Sequence, residues 1–294
     1  MIPLHTQPMR SKLFVPASRP ELFPKALSGQ ADSLSFDLED AVAEEGKEAA
    51  RMTLGAALAS LEFAASSKIL IVRVNALSTL HFAADLAAVI HPRLDLLNLP
   101  KVESADDIRA AAAAIASLEQ TRGITRPIQL LANIESPRGL RLAAEIASAD
   151  PRVAGLQLGF ADLLEPLGID RTDGAAIRQI QLAVRLAAGE AGIWAYDAAY
   201  GAIKDPEGFK AEALAARRLG FLGKTCIHPS QIPLANEVFR PGEEEIAFAH
   251  RVVEAADHTT AGVFSLEGWM IDAPFIRRAR AIVEIARQMA AGKP

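Results

Sequence analysis

Ile69-Leu-Ile-Val-Arg-Val-Asn75 is apolar at five of its seven positions, and its apolar residues do not alternate with polar ones. A short run of this kind reads as a strand covered on both faces, as strands are in a parallel sheet. Ile128-Gln-Leu-Leu-Ala-Asn-Ile-Glu135 reads the same way. Working outward, six further β-rich runs occur, at residues 13–17, 33–40, 94–101, 153–162, 192–197 and 223–228. The eight starts advance from 13 to 223, a mean step of 30 residues. About 30 residues is what one strand, a crossover helix and two loops require. Alanine-rich segments with helical spacing fill the gaps, at 20–27, 44–60, from Ser104, from Pro137, and at 172–188 and 206–219. Ser104 before two aspartates is a helix start, and proline is tolerated in a first turn. Eight such units predict an α/β chain folded as a (β/α)8 TIM barrel. No G-x-G-x-x-G follows the first strand, which argues against an open dinucleotide-binding sheet.

The chain continues for more than 60 residues past the eighth run. Residues 243–258 and 274–288 read as helices, with a turn-rich stretch at 259–268 between them. The expected division is a catalytic barrel over 10–236 and a C-terminal helical extension over 237–294, suited to pack on a neighbouring subunit or to cap a site.

Composition narrows the partners. The 294 residues are 50% hydrophobic and 23% charged, which is globular rather than disordered. The net charge of -5 argues against a general nucleic-acid-binding surface. A single cysteine, Cys226, excludes an intrachain disulfide and fits a cytoplasmic setting. Residues 1–10 lack the apolar core of a signal peptide, and the small-apolar run at 110–118 is too short to span a bilayer. A small molecule is the expected partner, with no nucleic acid and no membrane.

Barrel active sites form at the C-terminal ends of the strands. Those ends carry Glu39 and Asp40, Arg73 with Asn75, Lys101 with Glu103, Glu135, Asp162, Asp197 and His228. Glu135 and Asp162 end consecutive strands, about 4.8 Å apart in a sheet. Two carboxylates with waters and substrate oxygens are a common Mg²⁺ cage, and a pair that includes neither thiolate nor imidazole disfavours zinc. Two solvated acids fit the same spacing. Arg73, inside an apolar strand, is costly to bury unpaired. It reads as a clamp for a carboxylate or enolate oxygen, or as an internal ion pair with Glu39 or Glu135. Asp37, Glu39 and Asp40 repel one another unless cations compensate, and Lys47 and Arg51 are near in sequence. Cys226 and His228 lack a third group to make a nucleophilic pair, so Cys226 reads as a small buried residue.

Several blocks resemble the citrate lyase β-subunit-like CoA-ester lyases. They are Arg10-Ser-Lys-Leu-Phe-Val-Pro16 with Arg19 and Lys25-Ala26, and Asp37-Leu-Glu-Asp-Ala-Val42 with Lys47 and Ala50-Arg51. Val72-Arg-Val-Asn75, Leu99-Pro-Lys101, Ile134-Glu135, Leu158-Gly159, Asp162-Leu163, Gly223-Lys224 and Ile227-His-Pro229 with Gln231 continue the pattern. The likeness runs in order from about residue 10 to 285, in a group that includes malyl-CoA and citramalyl-CoA lyases and 2-oxo-acid aldolases. It implies a metal-dependent enzyme that cleaves or forms a carbon–carbon bond beside a thioester. It implies Mg²⁺ on Glu135 and Asp162, substrate or enolate contact by Arg73, and Glu39 in the metal's surroundings. Lys12, Arg19 and Lys25 would lie near the CoA phosphates. Gly268-Trp-Met-Ile-Asp-Ala-Pro274 resembles a block of the malyl-CoA-type branch, where the aspartate matching Asp272 acts as acid/base from a neighbouring subunit. A homotrimer or homohexamer is implied.

Two positions depart from the pattern: Ala17 stands where glycine is usual, and Trp269 where lysine is frequent. The resulting expectation is a retro-Claisen lyase acting on malyl-CoA, citramalyl-CoA or citryl-CoA, in which Arg73→Ala ends turnover and leaves folding intact. The alternatives are a metal-dependent aldolase of 4-hydroxy-2-oxo acids without CoA, and a catalytically idle subunit of a lyase complex.

Overall fold

The computed structural model describes residues 9–291, which divide into two compact units, Met9–Phe239 and the residues from Arg240 on. In the first unit, eight strands close into a parallel barrel in sequence order. They are β1 (Ser11–Pro16), β2 (Ser33–Asp37), β3 (Ile69–Arg73), β4 (Leu96–Leu99), β5 (Gln129–Ile134), β6 (Val153–Leu158), β7 (Trp194–Asp197) and β8 (Gly223–Cys226). Every expected strand is present, but most stop earlier than the sequence pattern implied. Glu39, Asp40, Lys101, Asp162 and His228 therefore sit in the loops or first helical turns that follow the strands, where backbone is free to aim them. Helices at Phe82–Val89 and Gln231–Val238, short and weakly patterned, complete the βα repeats.

Alternation along the strands sorts the side chains into two cores. Outward residues meet the helix layer, where Phe36 of β2 packs with Phe23 and Phe63 at ring separations of 4.9 and 5.1 Å. Inward residues fill the barrel. Its apolar filling is Met9, Ile69, Ile71, Leu96, Leu131, Ala154 and Tyr196, all buried. Burial of each large side chain there contributes roughly 1.5–3 kcal/mol. Above it, toward the C-terminal strand ends, the inward residues turn polar: Lys12, Asn98, Asn133, Gln157 and Thr225 are all buried. The fold thus fixes its lower half with hydrocarbon and leaves the upper half for chemistry.

The loops have local causes. Ser104 and Asp107 form a capping box at the start of the helix Ala105–Arg122, and Gly123 ends that helix with φ 66°. Lys224 of β8 points outward and is fully buried, its ammonium 2.6 Å from Asp197 and also paired with Glu212. That network ties β7 and β8 to the helix Pro206–Arg218. Cys226 is buried, its thiol pushed up to about 12 by desolvation, which suits an inert packing residue.

In the second unit, the helices Glu243–Asp257 and Ala273–Ala291 pack through Ala249, Val252 and Ala279. The stretch expected to be turn-rich, 259–268, leads into a hairpin, β9 (Phe264–Leu266) antiparallel to β10 (Trp269–Ile271). Its two-residue turn, Glu267-Gly268, has φ 50° and 82°, the pattern that matches strand twist in tight hairpins. No helix among the described residues is long and apolar enough to cross a membrane.

Candidate active site at the barrel mouth

Register brings the first functional pair together. Asp37 and Arg73 are partners at the ends of β2 and β3, and Arg73 lies beside Asn98 of β4. Asp37 binds the guanidinium through two parallel bonds, Nε to Oδ1 at 2.7 Å and Nη2 to Oδ2 at 2.6 Å. Arg73 Nη1 also lies 2.9 Å from Glu39 and 3.2 Å from Asp40, and the guanidinium stacks 4.7 Å from the Phe14 ring. Burial works against its charge, but Asp37 first, then Glu39 and Asp40, outweigh that and keep it firmly cationic. Of the two partners expected for Arg73, Glu39 is present; the principal one is Asp37.

The acids at 37–40 are balanced by Arg73 and Lys101. Lys101 Nζ lies 2.9 Å from Glu39 and 3.8 Å from Asp40. The contacts to Glu39 are of charge rather than of aligned hydrogen bonds, and burial raises its carboxyl pKa against the pull of Arg73 and Lys101. The cations near in sequence act elsewhere. Lys47 donates to the carbonyls of Leu38 and Glu39 and to Asn75, and Arg51 pairs with Asp85. They hold the loop rather than neutralise it.

Glu135 follows the last residue of β5 and is buried. Its Oε1 accepts the backbone N–H of Lys101 at 2.6 Å, and its Oε2 accepts from Asn133 Nδ2 at 3.2 Å. Lys101 makes the first bond from a left-handed backbone, φ 53°, a conformation that costs a non-glycine residue of order 1–3 kcal/mol. Gly159 makes room for the carboxylate: a Cβ there would stand 2.4 Å from Glu135 Oε2 and 2.6 Å from its Cβ. Desolvation, with the fields of Glu39 and Asp162, pushes the Glu135 carboxyl up to about 7. Asp162 sits in the first turn of the helix Phe160–Leu164 and is exposed.

Arg73, Asp37, Asp40, Glu135 and Asp162 line one cavity of about 460 Å³, with Asn133, Gln157 and Thr225 at its floor. Gln157 Oε1 and Thr225 Oγ1 are buried there without a hydrogen-bond partner, free to meet a bound molecule. The acids outnumber the cations, and burial makes the charged form of Glu135 costly in this site. Both facts fit a divalent cation between Glu135 and Asp162. Among the described residues no cluster of three or more His, Cys, Asp or Glu offers a fuller cage, so water and substrate oxygens would complete the shell.

A second cavity, of about 670 Å³, lies beside the first and shares Phe14, Pro16 and Ile227 with it. Arg19 and Lys25, both exposed, line it with His228. Lys12 does not join them. It points into the barrel, 1% exposed, with its amine 3.2 Å from Asn98 and 4.1 Å from the Phe14 ring centre. This corrects the place expected for it, since an amine enclosed by the barrel cannot meet solvent-facing phosphates. Ala17 is fully buried, donates its N–H to Asp37 and has no positive φ, so its position does not demand glycine. Asp272 belongs to the second unit, where its carboxylate accepts the N–H of Phe275 at 3.3 Å at the start of the last helix.

The sequence signal for several participants was weaker. Asn133 shares a face with Glu135 by strand alternation, and Asp37 with Arg73 by ending the adjacent strand. Gly159 shows only as a small residue before Asp162.

The family described as HpcH/HpaI aldolase/citrate lyase matches residues 10–229, from the first strand to just past the eighth. The chain belongs to that family. Among its relatives, the citrate lyase subunit beta of Haemophilus influenzae is 38% identical over 283 residues, 95% of this chain and 97% of that one. An L-malyl-CoA/beta-methylmalyl-CoA lyase of Cereibacter sphaeroides is 34% identical over 313 residues, covering 98% of each. Of solved structures, CitE from Mycobacterium tuberculosis in complex with magnesium, acetoacetate and coenzyme A superposes with a TM-score of 0.74. It is 37% identical, over 95% of this chain and 98% of that one. This HpcH/HpaI member thus matches both the citrate lyase and malyl-CoA lyase branches over nearly its whole length.

Proposed function

We propose that this family member is a magnesium-dependent carbon–carbon lyase. Its substrate would be a 3-hydroxyacyl-CoA thioester such as malyl-CoA, citramalyl-CoA or citryl-CoA, cleaved to a 2-oxo acid and a shorter acyl-CoA, or formed in reverse. The observation that carries this reading is the pair of cavities: one holds Glu135, Asp162 and Arg73, and the other, sharing its wall, holds Arg19 and Lys25. A thioester crossing the shared wall of Phe14, Pro16 and Ile227 puts its anionic nucleotide end on the cations and its acyl end at the carboxylates. The names of the relatives support the same chemistry.

Glu135 and Asp162 would hold Mg²⁺, which when bound supplies Lewis acidity to the substrate oxygens. Glu135 is fixed for this through Lys101 N–H and Asn133, leaving a lone pair on each oxygen. Arg73, locked flat by Asp37, presents its positive charge at the mouth, where cleavage leaves the negative oxygen of a thioester enolate. Asp272 would take up the hydroxyl proton that cleavage releases and give it to the enolate carbon, and is proposed to come from a neighbouring copy of the chain. Trp269 and Met270 in β10 are 61% and 67% exposed and Phe275 is also exposed, an apolar surface that suits burial in a homotrimer or homohexamer. The lone, buried thiol is at home in the cytoplasm, where we place the protein.

The test is an Mg²⁺-dependent cleavage assay on malyl-CoA, citramalyl-CoA, citryl-CoA and a 4-hydroxy-2-oxo acid, with the product 2-oxo acid trapped and counted. One CoA ester should be cleaved, and Asp272→Asn should cut kcat by about a hundredfold or more with KM little changed. Turnover of the free oxo acid alone would move the protein to the aldolase reading. Turnover of none would favour an idle subunit.

The metal assignment has a thermal signature. A carboxyl raised from 4.5 to about 7 keeps its proton on folding, so its burial is harmless below about pH 4.5. As pH rises through about 7, that shift costs the metal-free protein about 3 kcal/mol. Mg²⁺ takes the proton's place. Saturating Mg²⁺ should therefore raise the melting temperature by several degrees at about pH 8 and hardly at all at about pH 5. Equal shifts at both values would count against Glu135 as a ligand.

A further inference from the structure

Lys12 has no evident structural reason to be a lysine. It lies inside the barrel among Asn98 and the Phe14 ring, where burial and then Arg73 work against its charge and outweigh the pull of Asp37 and Glu135. A methionine would fill the same volume without the cost of burying an amine. What the amine does is start a chain of hydrogen bonds. Lys12 Nζ donates to Asn98 Oδ1 at 3.2 Å. Asn98 Nδ2 donates to Asn133 Oδ1 at 2.6 Å and to the Leu131 carbonyl at 3.0 Å. Asn133 Nδ2 donates to Glu135 Oε2 at 3.2 Å. All four side chains are buried, and every link runs in one direction.

The direction follows from the chemistry of the groups. The Lys12 amine offers N–H to Asn98, and the Leu131 carbonyl can only accept, so Asn98 must turn its oxygen to Lys12 and its amide N–H to Asn133. Asn133 is then obliged to turn its own N–H toward Glu135. Reversed, its carbonyl oxygen would face the carboxylate.

We propose that Lys12 is a positioning residue that, through Asn98 and Asn133, holds Glu135 Oε2 in the orientation that binds the metal. The inference rests on the reading of Glu135 and Asp162 as metal ligands. Partners of this kind, one bond behind a metal ligand, are worth 10–100-fold in metal affinity. The effect of a residue two links further back belongs at the lower end of that range.

The experiment is calorimetric titration of the full-length, metal-free protein with Mg²⁺, repeated with Mn²⁺ as the tighter probe, without substrate. Lys12→Met, Asn98→Ala and the double variant are compared with wild type, each with its melting curve. The expected result is a dissociation constant about tenfold higher in Lys12→Met, at a melting temperature within a few degrees of wild type. A side chain kept for packing or stability would show the reverse. Asn98→Ala should lose a similar factor, and the double variant no more than the larger single loss, because both cut one chain. Should Lys12→Met fail to fold, Asn98→Ala alone decides. A folded single variant binding within twofold of wild type overturns the proposal, as do single losses that multiply in the double variant. Failure of the wild type to bind either metal overturns the metal reading itself, which is a different result from normal wild-type binding that the variants leave unchanged.

Discussion

Arg73→Ala should lower kcat by about a hundred- to a thousandfold, the range for removing one donor to a developing oxyanion. It should also lower the melting temperature, where the sequence alone suggested that folding would be untouched. The reason is the set of carboxylates around the guanidinium. Asp37 is buried and binds it through two bonds, and Glu39 is buried against Nη1. Alanine leaves Asp37 without its cation and Glu39 with Lys101 alone, and breaking a buried pair from one side costs about 3–5 kcal/mol. Arg73→Lys separates the two roles. It keeps a charge near Asp37 but loses the two-bond geometry, so the melting temperature recovers in part while kcat stays low. Trapped 2-oxo acid and a melting curve on the same preparations measure both. Near-normal kcat in Arg73→Ala would remove Arg73 from the chemistry.

Gly159→Ala should abolish metal binding and turnover while leaving the barrel folded. The backbone at Gly159, φ -121° and ψ 90°, is open to any residue, so strain is not the issue. The added methyl would overlap Glu135 at both Oε2 and Cβ. An overlap at Cβ cannot be relieved by turning the end of the side chain. Glu135 has to leave its rotamer, giving up the bonds to Lys101 and Asn133, and its carboxylate moves away from Asp162. A loss of at least a hundredfold in Mg²⁺ affinity is expected by titration calorimetry, with native circular dichroism. Unchanged affinity would mean that Glu135 is not the ligand or that the loop before Asp162 yields more readily than its close packing suggests.

The barrel was legible because its signal is repeated. Eight apolar runs at a regular step leave few topologies, and an error in one run does not alter the count. The run at 69–75 was read with its true start and only two residues too long. The hairpin at 264–271 was not legible, because three-residue strands around Glu267-Gly268 carry too little pattern to separate from turns. In the site, side chains at strand ends were visible as such. Their pairings were not. Asp37 meets Arg73 because β2 and β3 share a register, and sequence proximity suggested Lys47 and Arg51 instead. Lys12 was misplaced because the family resemblance set its block beside phosphates, whereas its partner Asn98 is 86 residues away. Local chemistry names candidates, whereas closure of the barrel decides which of them touch.

Lys101 carries three duties at one position: its N–H holds Glu135, its ammonium neutralises Glu39, and its backbone is left-handed. Only the first and third are compatible with glycine, which adopts that backbone freely. Glycine would relieve that strain but leave buried Glu39 beside Asp40 with Arg73 as its remaining cation. Thermostabilisation schemes that replace strained residues by glycine would single out this position, and following that advice here would give up the cation beside Glu39.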